Sequence, residues 1–353
     1  MHDVLHRLLT ALCLLAAGVH PAAAADDAAL LAAVADHHVI PAYQRLDAST
    51  ATLGQAVRQH CADQRALAPD AALRAAYAEA FLAWQGIQHL RFGPIQVLSR
   101  DFRMQLWPDK RGSIAKHLRR LLAQREPARL QPDAFADGSA AVQGFGALER
   151  LLYDTPSGDA QWRCEVAAAM AANLHRMAAA TLQEWQDGPQ AHRLMFATAY
   201  EGNDYYDGAD ELNAKLLNNI NTQLERLIEQ KLSRPMGDSV EAAMPKRAEA
   251  WRSGLSLAAI RYNVVALQSL YTTGFAARVD DAALATAIKD RFDRALAELD
   301  AVEKPLVDAV HDADARMHLH RLRDQLTALR TLVAKDLTTA LALPLGFNSL
   351  DGD

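Results

Sequence analysis

Three stretches of the chain gather side chains whose types can do chemistry. Trp84 to Pro94 reads Trp-Gln-Gly-Ile-Gln-His-Leu-Arg-Phe-Gly-Pro and presents His89 and Arg91 where a helix should end. Trp107-Pro108-Asp109-Lys110-Arg111 is a compact loop carrying two cations. The third is a pair of related segments, Gly144-Phe145-Gly146-Ala147-Leu148-Glu149 and Gly346-Phe347-Asn348-Ser349-Leu350-Asp351. They place Glu149 in a helix and put Asp351 and Asp353 at the C-terminus. Paired carboxylates with an imidazole suit a hard or borderline cation such as iron or calcium. Each stretch also has a structural reading, as a helix terminus held by a Trp, a Pro and an ion pair. His311, Asp314 and His318 form a further set, spaced i, i+3 and i+7 so that one helix face carries all three, as metal ligation needs. Arg316 and His320 beside them suit a solvated polar face instead.

Other chemistries are excluded by what is missing. The sequence contains no His-Glu-x-x-His helix, no Gly-x-Ser-x-Gly elbow, no Gly-rich phosphate loop and no Cys-x-x-Cys pair. That argues against the common hydrolases. A formal net charge of -6 with no basic block argues against nucleic acid as a partner. Residues 1–25 have the three regions of a secretory signal: a weakly basic start, the apolar run Leu8–Gly18, and small residues offering cleavage after Ala24 or Ala25. That run is far short of the ~20 residues that span a bilayer, and no later segment is long and apolar enough. The expected location is the periplasm or cell envelope. There, Cys61 and Cys164 read as one disulfide, provided the fold brings them within reach.

The elements that must position these residues are helices. Val166, Met170, Leu174, Met177 and Leu182 recur at helical steps, as do Leu212, Leu216, Ile220, Leu224 and Leu227. Leu319, Leu322, Leu326, Leu329 and Val333 make a third stripe, and Leu284, Ile288, Phe292, Leu296 and Leu299 a fourth. Core packing explains them more simply than partner binding, since every long helix carries one. Asp70 is placed to cap the helix holding Trp84, and Ser139 the one holding Glu149. A chain of 353 residues exceeds what one core usually organises. The reading is all-α, with an N-terminal bundle over 26–195 and a C-terminal bundle over 196–353, divided within residues 188–205, next to the polar, aromatic segment Tyr200–Asp210. The paired Gly-Phe segments, and Ala78-Glu79-Ala80-Phe81 against Ala248-Glu249-Ala250-Trp251, hint at internal duplication.

Several blocks resemble the imelysin-like proteins. They are Val39-Ile40-Pro41-Ala42-Tyr43-Gln44-Arg45-Leu46 through Leu53 and Cys61, Arg91-Phe92-Gly93-Pro94, and Leu106-Trp107-Pro108-Asp109-Lys110-Arg111. Pro245-Lys246-Arg247-Ala248-Glu249-Ala250-Trp251-Arg252-Ser253-Gly254 and the ending Leu345–Asp353 follow in the expected order. The resemblance implies two helical domains, export to the bacterial envelope and a link to iron acquisition, and some such proteins are classed as metallopeptidases. Their hallmark is Gly-x-His-x-x-Glu, with His and Glu one helical turn apart. Here Gly144 and Glu149 match, but Gly146 stands in the histidine's place. Loss of the imidazole removes the motif's strong nitrogen ligand, and zinc-hydroxide catalysis normally needs three protein ligands. The expected function is therefore non-catalytic handling of iron, or of an iron-bearing compound, at a cleft between the halves. Glu149 and Asp351 would supply carboxylates, with Trp84, Arg91 and Arg111 shaping or neutralising the pocket, and an inner- or outer-membrane uptake system is the implied partner. The alternative is a metal-dependent peptidase with Glu149 and His89 as ligands, and a third reading is an envelope scaffold that docks a partner.

Overall fold

The computed structural model describes residues 21–63, 68–155 and 158–343, and helices carry the fold, with no strand among the described residues. Ten helices have nine or more residues: α1 Pro21–Val34, α2 Ile40–Asp63, α3 Ala71–Gln85, α4 Ser113–Gln124, α5 Phe145–Tyr153, α6 Ala160–Gln186, α7 Ala209–Glu225, α8 Ser256–Gly274, α9 Ala282–Asp300 and α10 Ala313–Thr331. Their starts follow from local chemistry. The carboxylates of Asp70, Asp159, Asp281 and Asp312 accept from the first free backbone N–H groups of α3, α6, α9 and α10. The Asp70 cap is the predicted one. Ser139, by contrast, caps only the short turn Ala140–Val142, and α5 starts at Phe145 with Gly144 as its N-cap. The chain must break there, because a Cβ on Gly144 would sit 2.4 Å from the Arg103 and Met104 carbonyl oxygens.

Packing follows the apolar stripes. Leu212, Leu216, Ile220, Leu224 and Leu227 are fully buried, as are Leu319, Leu322, Leu326 and Leu329. In the first half α2 packs along α6 and α3, and in the second α9 packs along α10. The halves meet where α3 crosses α8, and one continuous cluster of buried apolar side chains runs through both. The run Pro21–Asp63 connects them too: α1 packs on α8 and α7, whereas α2 belongs with α3 and α6. Between α1 and α2 lies a π-helical turn, Ala35–Val39, and another, Arg226–Ser233, prolongs α7. The wider turn rotates side chains out of the regular helical register, and here the two turns carry buried His38 and Lys231. A disulfide between Cys61 and Cys164, with Cα atoms 5.7 Å apart, fastens the end of α2 to the start of α6.

No described helix is long and apolar enough to cross a membrane. Residues 1–20 of the expected leader lie outside the described residues, and α1 begins at Pro21, ahead of the expected cleavage site. The second Gly-Phe segment, Gly346–Asp351, is also outside them. The other suggested repeat does not share local structure. Ala78–Phe81 is helical in α3, whereas Ala248–Trp251 is an irregular turn with Ala250 left-handed at φ 53.

A cationic cleft between the halves

One wall of the main cavity is the loop Gln105–Gly112 together with α5; the other is the turn Lys246–Arg252 with Arg234. The cavity measures about 690 Å³. On the first wall, both Asp109 carboxylate oxygens accept backbone N–H groups at the start of α4, from Ser113 at 2.8 Å and Ile114 at 2.9 Å. This bond pair holds the loop, with its cis Trp107–Pro108 peptide, against the helix it precedes. Glu149, on the inner face of α5, reaches across to the second wall. Its Oε1 accepts from the Ser253 backbone N–H at 2.9 Å and from the Ser253 hydroxyl at 2.8 Å. Burial raises its pKa, while the Ser253 bonds and the nearby Arg252 oppose the rise. Glu149 is thus 5% exposed and already engaged in holding the two walls together.

The second wall is held in turn by cations and rings. Arg252 donates to Asp154 at 2.5 Å, and Arg150 reaches the same carboxylate at 2.9 Å. The Trp251 ring has the Arg252 guanidinium 4.2 Å from its centroid and the Lys246 ammonium at 5.5 Å. Behind this surface Glu249 is buried and pairs with Lys231 at 2.6 Å, while Gln105 donates to its other oxygen at 3.0 Å. Lys231 also donates to Gln85 Oε1 at 2.7 Å and Asn263 Oδ1 at 2.6 Å. The ammonium thus has two hydrogen-bond acceptors and a counter-charge, as a buried lysine requires. Burial still lowers the Lys231 pKa, against the pull of Glu249. Nothing in the local sequence around Lys231, Arg234 or Glu249 marks them as functional. Lys246 to Arg252 stood in view only as part of a recognisable block, because its cations converge with α5 only in the fold.

Of the residues expected at the site, Glu149 lines the cleft and four others do not. Trp84 is buried in the core, its indole N–H without a hydrogen-bond partner among the described residues. Arg91 turns to Asp101 at 3.1 Å, and Arg111 is exposed outside the cavity wall. His89 is buried with its Nε2 2.9 Å from that of His38, whose Nδ1 meets Ser269 at 3.0 Å. Burial holds the His38 pKa down to about 4 and pushes His89 well below its usual value. These corrections have one cause: helix ends close in sequence to the cleft point their side chains into the core or along the surface. Asp351 lies outside the described residues. On α10, the His318 ring Nδ1 lies 2.6 Å from a Glu298 carboxylate oxygen, a side chain outside the His311, Asp314 and His318 set. Among the described residues no three His, Cys, Asp or Glu side chains converge in a way that would hold a metal ion.

Gly146 faces the cleft one turn before Glu149. A Cβ there would lie 3.2 Å from Ile114 Cδ1, so a side chain fits only if that methyl yields by a few tenths of an ångström. Gly144 is different in kind. The backbone carbonyls opposite it admit no side chain at all.

The Imelysin (peptidase M75) family model matches residues 39–333. The fold is similar to that of an imelysin-like protein from Psychrobacter arcticum 273-4, at TM-score 0.74 and 23% identity, covering 92% of this chain and 98% of that one. It is equally similar, at TM-score 0.74 and 18% identity, to a protein from Parabacteroides distasonis ATCC 8503 described as an iron-regulated protein A precursor, covering 90% and 95% of the two chains. No curated protein matches the chain.

Proposed function

The chain belongs to the imelysin family, and from that premise we propose that it is an exported protein of the cell envelope that binds an iron-bearing compound during uptake and does not hydrolyse peptides. The observation carrying this reading is the 690 Å³ cleft between the halves, in which the family's histidine position is Gly146 and the remaining acid, Glu149, is bound to Ser253. A cleft at the meeting of two bundles is where a ligand is expected. A single engaged carboxylate is a poor base for metal-dependent hydrolysis, which normally needs three protein ligands. The iron association draws on a structural relative described as iron-regulated. Export draws on the leader-like residues 1–25.

The test is calorimetric titration of the full chain with ferrous iron, ferric iron and hemin, alongside melting curves. Heat and a raised Tm with at least one of them are expected. No heat and no shift with any of the three would remove the iron reading. The peptidase reading has one observation in its favour, the raised pKa of a carboxyl facing a cleft. It requires chelator-sensitive cleavage of peptides that disappears in Glu149→Ala, and absence of turnover with added zinc or iron disposes of it.

A further inference from the structure

The cleft's charge says which kind of iron compound it suits. Its charged lining consists of six cations, Lys110, Arg150, Arg234, Lys246, Arg247 and Arg252, and two acids, Asp109 and Glu149. This stands against a whole chain whose net charge is -6. Both acids are consumed by protein donors, Asp109 by the N–H groups of Ser113 and Ile114 and Glu149 by Ser253. Arg150 and Arg252 share Asp154. Lys110, Arg234, Lys246 and Arg247 have no carboxylate within ion-pair distance among the described residues. A bare di- or trivalent cation entering here meets mostly like charge, and the Glu149 carboxylate facing it is already held through Oε1. An anion meets opposite charge and ready donors.

The walls add a second constraint. Trp107 and Trp251 both line the cavity, and the Trp251 ring makes cation–π contacts with Arg252 and Lys246. A ligand that fits has carboxylate oxygens for the Lys and Arg side chains and an organic body to lie against indole.

Resting on the iron-binding reading above, we propose that the cleft takes a carboxylate-bearing anionic complex of iron, recognised through its organic acid groups and not through metal coordination by the protein. Lys246, Arg247 and Arg234, all exposed at the cleft margin, hold the carboxylates. The metal stays with the ligand it arrived on. No bond to iron is made or broken.

Free citrate, ferric citrate and hemin share the carboxylate chemistry but differ in the body that carries it, and ferrous chloride supplies the bare cation. Each is titrated into the full chain, the Lys246→Ala/Arg247→Ala double variant and Arg111→Ala, a cation just outside the cavity wall. The expected result is binding of ferric citrate, hemin or both. It weakens on the order of tenfold in the double variant, weakens again as salt rises from about 50 to about 500 mM, and is unchanged in Arg111→Ala. Binding of citrate without ferric citrate or hemin keeps the anion site and removes iron from its function. Binding of ferrous chloride with none of the carboxylates overturns the inference and leaves the iron reading standing. Carboxylate binding that is equal in wild type and double variant also overturns it, as does the absence of binding by all four.

Discussion

Two sets of charges lie within a few residues of each other, on opposite sides of the turn Lys246–Arg252, and they are handled in opposite ways. Behind the turn, Lys231 and Glu249 are buried, and the ammonium has two protein acceptors and its counter-charge at 2.6 Å. In front of it, Lys246, Arg247 and Arg234 face the cleft with no carboxylate in ion-pair range among the described residues. The first arrangement makes sense as structure, since a buried charge is tolerated only when paired and hydrogen-bonded. The second contributes little to folding, and its sense lies in what it meets from outside. Adjacency in sequence thus says nothing about whether a charge serves the fold or a ligand; the count of partners does.

The comparison breaks first at the buried pair. Lys231→Ala leaves Glu249 buried without its counter-charge, and a loss of about 3–5 kcal/mol in unfolding free energy is expected from denaturant melts. Replacing both partners with apolar residues, Lys231→Met with Glu249→Leu, should restore much of that loss. If the single variant melts like wild type, the pair is not the structural element described above.

A smaller effect should come from acid acting on the other buried polar group, His38 and His89. In the unfolded chain His38 takes up a proton near pH 6.5, in the native protein only near 4. A lowered native pKa means the stability is fully present above about pH 6.5 and is lost as pH falls toward 4. At pH 5 the expected loss is about 2 kcal/mol from His38 alone. Melting curves at pH 7.5 and 5 measure it, and His38→Asn should flatten the dependence.

Gly146→His sharpens the comparison from the cleft side. Only Ile114 Cδ1 must move, so a stability change within about 1 kcal/mol is expected. The variant places an imidazole one helical turn from Glu149, and a Tm that newly responds to zinc would show that the missing imidazole is what keeps this position from holding a metal. The smallest effect on folding is expected from the cleft cations. Lys246→Ala and Arg247→Ala should each change stability by less than about 0.5 kcal/mol, however strongly they change ligand binding. A larger loss would place these side chains with the structural charges.

How much of this the sequence disclosed depends on the range of the interaction. Helix stripes such as Leu319–Leu322–Leu326–Leu329 are local patterns, and they are buried as read. The Cys61–Cys164 bond was foreseeable because only two cysteines follow residue 25, and it is formed. The Asp70 cap involves neighbours three residues apart and was equally legible. Site membership was not. His89 and Trp84 belong to the same end of α3 as the residues that face outward, and only the crossing of α3 with α8 decides that they turn inward. The cleft is built from segments about a hundred residues apart, Glu149 meeting Ser253, and no periodicity encodes such a meeting.

The helical run from Pro21 to Asp63 sets a mechanical condition on everything above. Because α1 is packed into the second half and α2 into the first, this single rod acts as a strut across their junction. A clam-shell opening of the halves would have to bend it at Ala35–Val39 while tearing α1 from α8. Ligand exchange is thus left to the long side chains at the rim, above all Lys246 and Arg247, and the aperture between the halves should be the same whether the protein is loaded or empty.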